Sequence, residues 1–137
     1  MEIRYTAKGL VGCENKKMVF VAGKRGMWNL PGGGIDEGET AKDAFLREAD
    51  EEVDNFSDHF TDPVEAFTVQ GPTTSADGVR KLAHWVVFES ALLIPSSKLS
   101  VPADSEITAI TAFTPEECLG HPNMSDLAKS AVRQAIR

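Results

Sequence analysis

Residues Gly33 to Glu52 read GGIDEGETAKDAFLREADEE, and this stretch decides the fold: a glycine loop leads into a helix that carries acids where core is expected. Thr40 and Asp43 stand as a Ser/Thr-x-x-Glu-like capping box ahead of good helix formers, so the helix starts near Thr40. At about 100° per residue, Ala41, Ala44, Phe45, Ala49 and Val53 gather into one apolar arc. Glu48 and Glu52 fall inside that arc.

An acidic helical run is ordinarily a solvated face laced with ion pairs. Lys42 and Arg47 can each pair with an acid one turn away, but such pairs contribute only about 0.2–0.5 kcal/mol and leave acids on the apolar side unexplained. Glu48, Glu51 and Glu52 are close neighbours on the helix, and crowding them raises their pKa values unless a cation compensates. A hard cation is the natural partner. Mg2+ takes oxygen ligands, keeps several waters, and binds through one or two carboxylates together with phosphates.

Ahead of the helix, Trp28-Asn29-Leu30-Pro31 reads as a short extended segment running into Gly32-Gly33-Gly34, which is expected to be a tight loop. Its backbone N–H groups could approach an anion closely, although a glycine cluster by itself is an ordinary turn. Gly23-Lys24-Arg25-Gly26 lacks the spacing of a Walker-type phosphate loop.

These residues resemble the Nudix hydrolase family, whose signature reads G-x5-E-x7-R-E-U-x-E-E-x-G-U, with U a bulky aliphatic residue. Gly33, Glu39, Arg47, Glu48, Glu51 and Glu52 match at fixed spacing, and Leu30-Pro31-Gly32-Gly33 is the family's common lead-in. Ala49 is small for U, Asp54 replaces the last glycine and Asn55 the last aliphatic residue. None of these departures removes a carboxylate. They affect the helix exit, where Asp and Asn tolerate left-handed backbone better than other non-glycine residues.

The resemblance implies that Glu48 and Glu52 are the principal metal ligands, with Glu51 helping directly or through water, Arg47 orienting the carboxylates, and Glu39 bonding within the box or joining the metal shell. It implies that Gly33 and Gly34 shape the loop side. The implied cofactor is Mg2+, with Mn2+ as a substitute, and the implied reaction is attack of metal-activated water on phosphorus, which splits a diphosphate linkage. Such an ion acidifies bound water and neutralises charge on the leaving group. The implied fold is an α/β/α sandwich with a mixed β-sheet, of class α/β (α+β), and a homodimer is a further expectation from the family.

A general base lies outside the box in many relatives. Glu106, in Ala103-Asp104-Ser105-Glu106-Ile107, is the first candidate, with Asp104 and Glu89 in reserve; a solvated loop acid is the alternative for it. Trp28 is the aromatic favoured for a pocket edge, against the alternative of a core residue. Lys24, Arg25 and Arg80 lie near expected loop ends and could meet phosphate oxygens, or be solvated.

The chain of 137 residues suits one domain spanning residues 1–137. Its net charge of −7 lacks the basic footprint of a nucleic-acid binder, which disfavours long RNA or DNA and favours a small nucleotide delivered with a divalent cation. Cys13 and Cys118 form no Cys-x-x-Cys pair, and His59, His84 and His121 stand at no zinc-ligand spacing from them. No secretory pattern opens the chain and no run of about 20 apolar residues could cross a membrane, so a cytoplasmic protein without membrane association is expected.

Strands are expected over Ile3 to Cys13, Lys17 to Ala22, Val64 to Gln70, Leu82 to Leu93 and Ile107 to Phe113, and a second helix over Met124 to Ile136. The run His84-Trp85-Val86-Val87-Phe88 predicts burial on both faces. Gly71 to Gly78 is expected to be a turn-rich loop.

Substrate choice rests on the loops. Asn123 resembles a base-reading asparagine of the MutT-like nucleotide-pool enzymes, and an N-cap region is its alternative. Pro72 lies near the place where ADP-ribose hydrolases often carry a proline, or makes a turn. The resemblance therefore implies a pyrophosphohydrolase acting on a nucleoside triphosphate first, and on ADP-ribose or a nucleoside diphosphate sugar second. A non-catalytic nucleotide-sensing domain is the reading from another class.

Overall fold

The extended runs on either side of the Gly33–Glu52 stretch pair into one seven-stranded mixed sheet. The computed structural model describes residues 1–75 and 77–137; Ala76, part of the expected Gly71–Gly78 loop, lies outside the described residues. Elements follow in the order β1 (Ile3–Gly12), β2 (Met18–Gly23), β3 (Trp28–Asn29), β4 (Gly32–Gly34), α1 (Ala41–Glu52), β5 (Val64–Thr74), β6 (Arg80–Ala91), β7 (Ile107–Phe113), α2 (Pro115–Gly120) and α3 (Asp126–Ala135). The sheet order is β3-β2-β1-β6-β5, with β4 paired to β1 and β7 to β2. Among the strand pairs of the described residues only β1–β6 is parallel, in register from Ile3↔Leu82 to Gly12↔Ala91.

The site is prepared by a divergence in this sheet. β1 and β2 pair at Gly12↔Met18 and then separate, while β4 takes the edge of β1 at Thr6 to Lys8 and β3 takes that of β2 at Val21 and Ala22. The segment from Trp28 to Gly34 fills the wedge, so the stretch expected to be a glycine loop is in fact the antiparallel strand β4. Of the three glycines, Gly32 is the one that β1 itself requires, because a Cβ there would meet the Ala7 carbonyl.

Period-2 alternation divides the core between the two faces of the sheet. Ala7 and Val11 of β1, Val19 and Val21 of β2, and Phe88 of β6 pack with Phe45 and Ala49 of α1 and with Val53 just after it. Leu10, Phe20, Trp85 and Val87 face the other way and pack with Cys118 of α2 and with Leu127, Ala128 and Val132 of α3. Both faces of β6 are thus covered, and the result is the α/β/α sandwich.

Three further features depart from expectation. β5 continues through Gly71, Pro72 and Thr73 to Thr74, where a loop was expected, because it is an edge strand whose free side needs no N–H from Pro72. α2 was not expected, although Thr114 and Glu117 form a complete capping box with Pro115 in the first turn. α3 starts at Asp126 and not Met124, because Ser125 is the residue whose side chain accepts the Ala128 N–H.

Candidate active site

Thr40 starts α1 by accepting the Asp43 N–H on its side chain. Asn55, at φ 52°, supplies the left-handed residue that turns the chain after the helix. Between these ends, Arg47 gathers the acids. Its Nε donates to Glu39 Oε2 at 2.8 Å and its Nη2 to Glu39 Oε1 at 2.9 Å. Nη1 reaches Glu48 Oε1 at 3.0 Å and Glu51 Oε1 at 3.3 Å, and Nη2 also donates to the Gly34 carbonyl at 3.1 Å. One guanidinium therefore fixes the loop strand to three carboxylates, a use of its planar fork that an ammonium could not copy. The Arg47 hydrogen bonds, with a second from the Asp36 N–H, hold the Glu39 carboxyl down at about 2.

Glu52 is held differently. Its Oε1 accepts the Gly32 N–H at 2.7 Å. Gly32 has φ 127°, and a Cβ there would collide with the Ala7 carbonyl, so only glycine can present its N–H in this way. A Cβ on Gly33 would likewise run into the Glu48 carboxyl. Burial pushes Glu52 up to about 7; Glu48 and Glu51 add to this rise, while Lys8 and the Gly32 bond oppose it.

Lys8 was missed by sequence reasoning. The signal was a single charge within the apolar run of β1, between Ala7 and Gly9. Its Nζ donates to the carbonyls of Leu30 at 3.1 Å and Gly32 at 3.2 Å.

Two adjoining cavities share Glu48, Glu52 and Glu106 in their walls. One, of about 370 Å3, lies between α1 and the loop carrying Asp104 and Ser105. The other, of about 380 Å3, lies over β1 and β4 and is lined also by Lys8, Asn29, Gly33 and Trp85. Glu106 thus faces the helix carboxylates, as does Asp104 in the first cavity, whereas Glu89 is an exposed residue of β6. Glu51 lines the first cavity only, and Gly34 lines the second. Lys24 and Arg25 line a neighbouring cavity on the far side of Glu106. Trp28 packs edge-on against Phe113 at 5.4 Å and lines neither cavity shared by the carboxylates; Asn29 and Trp85 stand there instead. Arg80, exposed at the start of β6, lines neither. Asn123 accepts the Trp28 N–H on its backbone carbonyl and is also outside both.

The residues fit a hard divalent ion. All donors on the shared wall are carboxylate oxygens, the set that suits Mg2+ or Mn2+. Among the described residues no three His, Cys, Asp or Glu side chains stand together as a finished cage. A partial set of this kind matches an ion that keeps its waters and completes its shell with substrate phosphate. Glu48 and Glu52 would hold it, one oxygen of each already fixed by Arg47 and Gly32.

The NUDIX domain family model matches residues 6–134. The RNA pyrophosphohydrolase of Vibrio atlanticus (strain LGP32) is 51% identical over 47 residues, which cover 33% of this chain and 27% of that protein. The match therefore spans little more than a quarter of the curated relative. The crystal structure of a MutT protein from Methanosarcina mazei Go1 superposes with a TM-score of 0.74 at 16% identity, over 97% of this chain and 92% of that one. The E. coli dihydroneopterin triphosphate pyrophosphohydrolase superposes with a TM-score of 0.72 at 21% identity, over 98% and 97%. At these identities the two structures share the fold.

Proposed function

The chain belongs to the NUDIX family, and on that premise we propose that it is a divalent-metal-dependent pyrophosphohydrolase cleaving a diphosphate linkage in a small nucleotide, a nucleoside triphosphate first. The observation that carries this reading is the shared wall of Glu48, Glu52 and Glu106 between two cavities, with the β4 backbone beside it. The relatives' names, one for RNA and one for dihydroneopterin triphosphate, favour a phosphate chain attached to a larger group. The net charge of −7 favours a small nucleotide over long RNA.

A bound divalent ion supplies acidification of water and neutralisation of phosphate charge. The chain's own residues do the rest. Arg47 keeps Glu39, Glu48 and Glu51 from swinging apart, and the Gly32 N–H fixes the direction of Glu52. Glu106, which shares the cavity wall with Glu48 and Glu52, would take a proton from the attacking water. The second cavity shares Asn29, Thr73 and Trp85 with a further one of about 450 Å3, bounded by Pro72 and Met124, that offers room for the nucleoside.

Hydrolysis of a panel of nucleoside triphosphates, ADP-ribose, nucleotide sugars and diadenosine polyphosphates, with Mg2+ or with chelator, tests the reading. Metal-dependent release of monophosphate and pyrophosphate from a triphosphate is expected. Monophosphate from ADP-ribose or a nucleotide sugar alone replaces the triphosphate by the second substrate class. Binding of nucleotide without cleavage of any member makes the domain a sensor and ends the hydrolase reading.

A further inference from the structure

Lys8 is a charge enclosed within the sheet. It is 7% exposed, between Ala7 and Gly9 on the strand that forms the floor of the second cavity. A lysine ammonium has three N–H donors. The carbonyls of Leu30 and Gly32 take two, which leaves one for the cavity that the side chain lines. Both protein partners are neutral, and the Nζ lies 5.2 Å from the centre of the Trp85 ring. Burial disfavours the charge on Lys8, while Glu52 and Glu48 favour it from a distance. Once those carboxylates are engaged with a cation, the enclosed ammonium needs an anion to replace them.

Its position says which anion. Lys8 and Trp85 line the same cavity as Glu48 and Glu52, and that cavity shares Asn29, Thr73 and Trp85 with the larger space beyond. Lys8 therefore lines the cavity that holds the carboxylates at one part of its wall and adjoins the larger space at Trp85. A phosphate chain reaching from the carboxylates toward a nucleoside in the larger space runs through the cavity that Lys8 lines. Thr6 and Arg4, two and four residues earlier on the same face of β1, continue the polar floor.

We propose that Lys8 is a substrate-contacting specificity residue, whose ammonium binds an anionic oxygen of the phosphate next to the nucleoside. This rests on the hydrolase reading above. The contact selects a phosphate chain that continues into a nucleoside over inorganic pyrophosphate, which fills only the carboxylate end.

The test is titration of wild type, Lys8→Met and Lys8→Arg with α,β-methylene nucleoside triphosphates of the common bases in the presence of Ca2+, followed by calorimetry. A parallel titration with Mn2+ alone is followed by electron paramagnetic resonance. Lys8→Met is expected to bind the preferred analogue roughly 10- to 100-fold more weakly, the range of a lost charged hydrogen bond. Its Mn2+ affinity should remain that of wild type, and Lys8→Arg should retain part of the binding. Unchanged analogue binding by Lys8→Met overturns the inference alone. Equal loss of Mn2+ and analogue affinity also overturns it, and makes Lys8 a positioning residue acting on Glu52 through Gly32. A wild-type protein that takes up none of the analogues overturns this inference and the triphosphate reading together, while the hydrolysis panel decides the hydrolase reading by itself. If Lys8→Met does not fold, the ammonium 15N–1H signal of Lys8 in wild type, assigned by its absence from Lys8→Arg, provides the answer: it must shift when analogue is added, and a signal that stays in place overturns the contact.

Discussion

Glu52 Oε1 accepts the Gly32 N–H at 2.7 Å, so the last residue of α1 is tied to the first residue of β4 across 20 positions of sequence. The bond leaves the second carboxylate oxygen for the cavity. Glu52→Gln keeps an oxygen for Gly32 and removes the charge, which separates folding from chemistry. Turnover of the substrate found by the panel should fall roughly 100-fold or more, with an unchanged circular dichroism spectrum. Wild-type turnover in this variant would exclude Glu52 from the metal site.

The same carboxylate gives the metal-free protein an unusual pH dependence. Burial raises Glu52 from 4.5 to about 7, so between those values the folded state binds more protons than the unfolded one, and stability falls as pH rises. The full contribution is present below pH 4.5 and lost through about pH 7, on the order of 3 kcal/mol. Glu39 has the opposite sign. Arg47 depresses it to about 2, so its contribution is complete above pH 4.5 and is lost as pH falls toward 2. Urea unfolding in chelator should show the high-pH decline in wild type and not in Glu52→Gln; an equal decline in both assigns it to other groups.

Arg47→Lys retains the charge but loses the fork that reaches Glu39, Glu48, Glu51 and the Gly34 carbonyl together. One ammonium cannot hold them all. Mn2+ affinity should drop roughly 10- to 100-fold, as for other groups that orient metal ligands. A lysine variant that binds Mn2+ like wild type would mean that the carboxylates keep their places without the guanidinium.

Glu106 approaches the helix carboxylates from the loop before β7, and no hydrogen bond or ion pair of its side chain is found among the described residues. A group that moves a proton and does not build the metal shell should split the two readouts. Glu106→Gln is expected to lower kcat roughly 100- to 10,000-fold while Mn2+ affinity is kept. Loss of Mn2+ affinity to the same extent would make it a ligand.

The parts of this fold that announced themselves in sequence were those with local causes. Thr40 marked the helix start because a side-chain cap needs only its own next turn, and Asp54-Asn55 pointed to its exit, where Asn55 is the one that takes left-handed backbone. Glu48 and Glu52 were legible as acids on an apolar arc. Lys8 was not, because its meaning depends on the Leu30 and Gly32 carbonyls more than 20 residues away. β4 was hidden for the same reason: three glycines announce freedom, and only pairing with Thr6 to Lys8 turns that freedom into a strand. Pro72 read as a turn until β5 proved to be an edge. The α2 cap was present in Thr114-Pro115-Glu116-Glu117 but preceded too short a helix to show periodicity.

Outside the carboxylate site, Gly9 seats α1 on the sheet. A Cβ there would meet the tip of the Phe45 ring, which is fully buried and stacked at 5.8 Å and 8° on Phe88, the residue beside Gly9 in the parallel β1–β6 register. Phe60 closes the other side at 5.6 Å. The ring has nowhere to turn, so Gly9→Ala must lift α1 from β1, at a cost of about 1–3 kcal/mol. Glu48 and Glu52 follow Phe45 at three and seven residues on the same helix, and a shift near 1 Å at reacting groups can cost roughly 100-fold in rate. Gly9→Ala should therefore lose turnover well beyond what its unfolding midpoint explains at temperatures where it remains folded. Phe45→Leu makes room at the ring tip, so the double variant should recover part of the turnover lost by Gly9→Ala. If the two substitutions simply add, the helix is not seated by this contact and the loss has another source.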